Sequence, residues 1–159
     1  MVRSLTGNRT DYHDVRNSFL PDVLERGLGL PITLSVVAIE LGRRVGAPVV
    51  GIGLPGHFIV ADDTGSRYGD PFHAGARYDR ATLPQVWPVL VGSQLPFDEL
   101  HLVPVGERAI LIRMLNNLRA VVLPAGQMHA IQALAALRSS FAELAHEAAE
   151  YPRWLRHLN

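Results

Sequence analysis

The clearest hydrophobic pattern along the chain is that of a helix. From Pro31 to Val45 (PITLSVVAIELGRRV), Ile32, Val36, Ile39 and Val45 recur near one face, and Leu34, Val37 and Leu41 widen it. That spacing predicts a mostly buried helix. Pro31 suits its first position, where the missing N–H would have found no intrahelical partner anyway. Gly46 suits the C-terminal cap, and Pro48 blocks continuation. Upstream, Phe19, Leu20, Val23 and Leu24 predict a shorter helix, with Pro21 in its first turn and Gly27 and Gly29 interrupting it. The stretch before that, Gly7 to Ser18, is polar and turn-rich.

The period then changes. Val49 to Leu54 and Phe58 to Ala61 are apolar and short, and Arg67 to Asp70 follows the turn Asp62-Asp63-Thr64-Gly65. Three strands are predicted, with the second and third forming a hairpin. Residues 73–106 are rich in Pro and Gly and read as loops, with a short helix near Leu83 to Val86. Helical spacing returns in Ile110, Leu111, Met114, Leu115, Leu118, Val121 and Val122, and Pro124-Ala125-Gly126 breaks it. Met128 to Ala149 predicts one or two more helices, and Tyr151 to Leu158 a final turn. The order is that of an α+β fold: a core over 1–106 and a helical tail over 107–159 packed on it, in one compact domain.

Composition narrows the function. A chain of 159 residues, 48% apolar, supports one domain with a real core. No apolar run approaches the ~20 residues of a membrane span. The start, MVRSLTGNRTDYHD, has no apolar stretch after Arg3, so a cytoplasmic protein is expected. Basic and acidic residues balance at 15 each, and every basic residue is Arg; without a basic surplus no nucleic-acid partner is expected. Gly51-Ile52-Gly53 lacks the third glycine and following helix of a nucleotide loop. There is no cysteine. Disulfides, thiolate metal sites and cysteine nucleophiles are therefore excluded.

Two segments carry candidate chemistry, Leu54-Pro55-Gly56-His57-Phe58 and Gly69-Asp70-Pro71-Phe72-His73. His57 opens one predicted strand and Asp70 closes the next. A hairpin would bring both side chains to one end of the sheet. An Asp that accepts the Nδ1–H of a His fixes its tautomer and stabilises its imidazolium. This is the base-and-orienter half of a nucleophilic triad.

A helix reading G-x-x-x-x-L-S followed by RR-x-G-x-P, a strand, P-G-H-F and then D-P-F resembles the transglutaminase-like superfamily. The matching stretches are GNRTDYHDVRNSFLPDVLERGLGLPITLS, RRVGAPVVGIGLPGHFIV, GDPFHAG and ILIRMLNNLRAVVL, from about Gly7 to Leu123. The branch it resembles is the bacterial SirB-type, whose members often carry tetratricopeptide-like helices at the C-terminus and further helices before the GN…DY segment. The resemblance implies a papain-like core, one helix on a small antiparallel sheet. It also implies a Cys at the start of that helix, with His and Asp on the two following strands. Here the G-x-Cys triplet reads Gly29-Leu30-Pro31, so Pro31 stands in the nucleophile's place.

Other side chains near that helix start are weighed with the pair. Thr33, Ser35 and Ser18 are candidate hydroxyl nucleophiles, each needing His57 as a full general base. Thr33 and Ser35 equally read as helix residues bonded to backbone carbonyls, and Ser18, with Asn17 and Asp14, as a cap or loop brace. Tyr12 and Arg16 are expected to rim a pocket or clamp the N-terminal loop, and Asn17, Pro31, Phe58, Phe72 and His73 to line it. His57 equally reads as a core histidine, and Asp70 as a turn residue. His57, Asp70 and His73 would form a two-histidine, one-carboxylate metal set only if the turn folded His73 back onto His57; no metal or other cofactor is expected. Two functions follow. One is a non-catalytic binding or scaffolding module for a small molecule or protein, with a homodimer as a further option. The other is an acyl- or amide-processing enzyme, or a hydrolase, using His57 and Asp70 with a hydroxyl or water.

Overall fold

The computed structural model describes residues 4–92 and 95–150. The chain enters through β1 (Thr6–Gly7), a 3-10 turn at Val15–Ser18, α1 (Leu20–Arg26) and β2 (Leu28–Gly29), which pairs in parallel with β1. The buried helix follows as α2 (Pro31–Arg44). Next come β3 (Val49–Ile52), β4 (Ile59–Asp62), β5 (Arg67–Asp70), a 3-10 turn at Pro71–His73, and β6 (Ala76–Asp79). After α3 (Leu83–Val91) and a 3-10 turn at Glu99–Leu102, β7 (Pro104–Val105) closes the sheet. The helical tail is α4 (Glu107–Ala125), α5 (Met128–Ser139) and a 3-10 stretch at Ala142–Ala149. No helix among the described residues is long and apolar enough to cross a membrane.

The five strands form one antiparallel sheet in the order β6-β5-β4-β3-β7, so the fold is α+β. Strand alternation sends Ile52, Ile59, Ala61 and Tyr68 to one face, where Leu83, Trp87, Leu90 and Val91 of α3 pack on them. On the other face α2 and α4 meet over Phe58, with Leu30, Ile32 and Ile110 around it. Close approach there depends on Gly51, since a Cβ at that position would stand 2.9 Å from the Phe58 ring. Phe72 packs with Val23 and Leu34, on the side where β1 and β2 lie.

Several elements depart from the pattern reading. The loop region contains two strands, β6 and β7, and the short helix there runs on to Val91 with Pro88 inside it. β6 alternates half-buried and exposed residues, so it offers no apolar run. Its place comes from pairing with β5, Arg67 opposite Asp79 and Tyr68 opposite Tyr78. The parallel pair β1–β2 is two residues long, too short for any period. The expected break at Pro124-Ala125-Gly126 holds: α4 takes Pro124 into its last turn and ends at Gly126, whose φ of 65° is the left-handed cap. The final turn expected over Tyr151 to Leu158 lies outside the described residues.

One glycine ties the entry strand to the rest. A Cβ on Gly7 would overlap the Phe72 ring, so Gly7→Ala should cost about 1–3 kcal/mol through overpacking. Urea unfolding of the two proteins checks this.

Candidate functional site

The site begins where α2 begins. Leu30 caps the helix in an extended conformation and Pro31 takes the first helical position. The Thr33 hydroxyl accepts the Leu30 N–H (2.9 Å) and donates to the carbonyl of Asn17 (2.9 Å), which fixes the approach of the N-terminal loop. Asn17 is fully buried. Its amide donates to the carbonyls of Asp11 and Tyr12, and its oxygen accepts from Asn8 and Arg26. This places Tyr12 beside the helix start.

Asp70, the last residue of β5, is buried completely. Its Oδ1 accepts the backbone N–H groups of Phe72 (3.0 Å) and His73 (3.2 Å). Its Oδ2 lies 2.7 Å from His57 Nε2 and 2.6 Å from His73 Nδ1. Burial pushes the Asp70 pKa up, but the hydrogen bonds and charge of His57 and His73 outweigh it and hold the group below the ordinary carboxylate value. Asp70 is therefore an anion that only accepts, and both ring nitrogens facing it carry hydrogen. In a neutral ring this contact would leave the lone pair on Nδ1 of His57 and on Nε2 of His73. The contact to Asp70 is thus through Nε2 of His57, not Nδ1.

His57 is 5% exposed and sits in the turn before β4 rather than on it. The Phe72 ring meets it edge-on, centroids 5.9 Å apart, and the His73 ring is tilted at 5.4 Å. In front lies a cleft of about 80 Å³ lined by Tyr12, Pro31, Ile32, Gly56, His57, Phe58, Arg113 and Asn117. It has room for one small polar group. A larger hollow of about 690 Å³, on the sheet between Ala47 and Asp79, shares no residue with it.

The structure thus brings together His57, Asp70, His73 and Phe72, and sets Pro31, Phe58 and Tyr12 around the cleft. The hydroxyls are placed elsewhere. Thr33 is committed to backbone partners, Ser35 donates to the carbonyl of Phe58 at 3.4 Å, and the buried Ser18 hydroxyl has no hydrogen-bond partner. None is bonded to His57. Arg16 is exposed and paired with Asp14 (2.7 Å). Arg113 and Asn117 escaped the sequence reading. The available signal was an Arg and an Asn one helical turn apart beside the apolar positions Ile110 and Met114 of α4.

His57, Asp70 and His73 also form the group that could hold a metal ion among the described residues, with ligand atoms within 4.8 Å of one another. Their spacing is that of hydrogen bonds. A tetrahedral ion bonded at about 2.0–2.1 Å holds its ligand atoms about 3.3 Å apart. The Asp70 carboxylate already fills its four acceptor positions. A metal would have to displace two ring N–H groups and spread the cluster.

In this arrangement Nδ1 of His57 is a base aimed away from Asp70, with the carboxylate ready to stabilise the imidazolium. At the helix start a thiol would gain acidity from the dipole and from His57. Pro31 offers no nucleophile. It also offers no N–H, so position 31 itself supplies no donor for a developing oxyanion.

Comparison with known proteins bears on this geometry. Residues 2–116 match the family model described as the transglutaminase-like superfamily. A UPF0162 protein of Xylella fastidiosa (strain 9a5c) is 41% identical over 121 residues, covering 73% of this chain and 43% of that protein. A UPF0162 protein of Vibrio cholerae is 36% identical over 124 residues, 74% of this chain and 44% of its own length. F-box only protein 21 of Homo sapiens is 35% identical over 54 residues, 34% of this chain and 9% of that protein. The chain thus spans less than half the length of the UPF0162 relatives. No solved structure matches it.

Because the folded-state pKa of Asp70 is depressed, its contribution to stability is complete above the ordinary carboxylate pKa of about 3.9. It is lost as pH falls through the lower folded value. Asp70→Asn should be less stable by about 2–4 kcal/mol at neutral pH. The gap to the native protein should narrow on acidification below the ordinary carboxylate range. Urea unfolding across that range measures both.

Proposed function

The chain belongs to the transglutaminase-like superfamily, and we propose that it is a thiol-free member that binds a small ligand at the His57 cleft without acyl transfer. One observation carries the reading: the His–Asp pair is intact while Pro31 occupies the place of the nucleophile and removes a backbone donor with it. The placement of Thr33, Ser35 and Ser18 supports it, because none of these three hydroxyls is bonded to the imidazole. His73 adds a second ring to the carboxylate and stiffens the arrangement. The RR-x-G-x-P, P-G-H-F and D-P-F pattern supports the SirB-type branch within the superfamily. The short segment shared with the much longer F-box only protein 21 fits a domain used as a part of larger proteins.

The competing reading is a hydrolase in which His57 Nδ1 activates a water held in the cleft. The two part on turnover. With p-nitrophenyl acetate, and with a glutamine peptide plus an amine acceptor, the native protein and His57→Ala should give the same background rate. Turnover that disappears in His57→Ala would retire the binding reading.

Restoring the missing atom tests the geometry itself. Pro31→Cys should present a thiol with a pKa below the ordinary value of about 8.5. Alkylation by iodoacetamide at pH 6–7 should then run about tenfold faster than in the Pro31→Cys, His57→Ala double variant, for each pKa unit that His57 supplies. Equal rates would mean that the helix start and the imidazole do not face each other as a disabled thiol site.

A further inference from the structure

The cleft holds a positive charge that the described fold does not neutralise. Arg113, in the middle of α4, donates through Nη2 to the carbonyls of Leu54 (2.7 Å) and His57 (2.6 Å), and its guanidinium lies 5.4 Å from the centre of the Phe58 ring. These partners are uncharged. Arg16, Arg80, Arg108 and Arg138 each sit on a carboxylate; Arg113 has no ion pair among the described residues. The cleft lining contains no Asp or Glu. Burial lowers the Arg113 pKa from its ordinary value, with Tyr12 close enough to be felt electrostatically. A guanidinium stays charged in proteins, so its desolvation is a standing cost.

The two carbonyl bonds give Arg113 one task, pinning the turn that carries His57 onto α4. A neutral amide donor would serve that task without the cost of a part-buried charge. The charge itself has a use if an anion enters. Asn117 and Tyr12 flank the same space and supply further polar groups. The His57 ring, held from behind by Asp70, lines the same space. The charged and titratable groups around that ring are Asp70 and His73 behind it, and Tyr12 and Arg113 at the cleft.

Resting on the reading of the cleft as a binding site, we infer that its ligand is a small molecule bearing a carboxylate, seated against Arg113 and His57. The volume suits the carboxylate and leaves the remainder of the molecule outside. The shared chemistry of such ligands is the planar anion, which a guanidinium matches geometrically.

The test uses the full chain, ¹⁵N-labelled, with sodium acetate as the probe and acetamide as its uncharged counterpart, at constant ionic strength. Acetate should shift the Arg113 Nε–H and His57 ring signals saturably with a Kd in the millimolar range, about what one small charged contact supports. Acetamide should not. Arg113→Gln should weaken acetate about tenfold or more, the size of one charge-assisted hydrogen bond, and Arg113→Lys should recover part of the loss. Should Arg113→Gln fail to fold, the acetate–acetamide contrast in the native protein decides. Equal shifts from the two probes, no saturation by about 100 mM acetate, a hundredfold above a 1 mM Kd, or unchanged acetate binding in a folded Arg113→Gln would each overturn the inference. Acetate binding alongside His57-dependent turnover would retire the non-catalytic reading and leave this one standing. No acetate binding with no turnover would retire this one alone.

Discussion

A carboxylate buried away from water must have each of its lone pairs met, and Asp70 meets all four at once. Two backbone N–H groups of its own turn close on one oxygen and two imidazoles close on the other. An unpaired anion at that depth would cost several kcal/mol. The turn after β5, the loop before β4 and the rotamers of both histidines therefore have little freedom. Phe72, carried between Asp70 and His73, is pressed onto Gly7 and edge-on to His57 by the same turn. The position of the cleft follows from these constraints. It opens on the side of His57 that Asp70 does not occupy, against the start of α2.

Much of this was legible in the sequence because it rests on local chemistry. Pro31 and Gly46 bracket α2, the Asp62–Gly65 turn sets the β4–β5 hairpin, and P-G-H-F with D-P-F mark the ends that meet. The illegible parts depend on pairing rather than pattern. β6 has no hydrophobic signature because its sides are half-buried and exposed, and β7 is two residues long. The engagement of His73 depended on the tight turn at Pro71, where the chain folds back within three residues. Arg113 was hidden for another reason. Its partners are backbone carbonyls more than 50 residues away, and no spacing rule along one helix reports such a contact.

The candidate nucleophiles show how context decides a side chain's role. Thr33 and Ser35 lie close to the helix start in sequence, yet helix geometry directs them to the backbone around them, Thr33 to the N-terminal loop and Ser35 to the carbonyl of Phe58. They hold the walls of the cleft without facing its contents. The residues that do face it, Tyr12, His57, Arg113 and Asn117, come from three separate parts of the chain. Such a cleft exists only when the N-terminal loop, the sheet and α4 are docked together, so its ligand would also report on that docking.

Proline at the head of α2 has one more outcome. A cysteine there would be open to peroxide, to disulfide exchange and to electrophiles, and its site would fall silent whenever the thiol was capped. The amide nitrogen and ring carbons of proline undergo none of these reactions, and no cysteine exists in the chain to substitute. The head of α2 therefore carries no thiol whose state could change between reducing and oxidising surroundings.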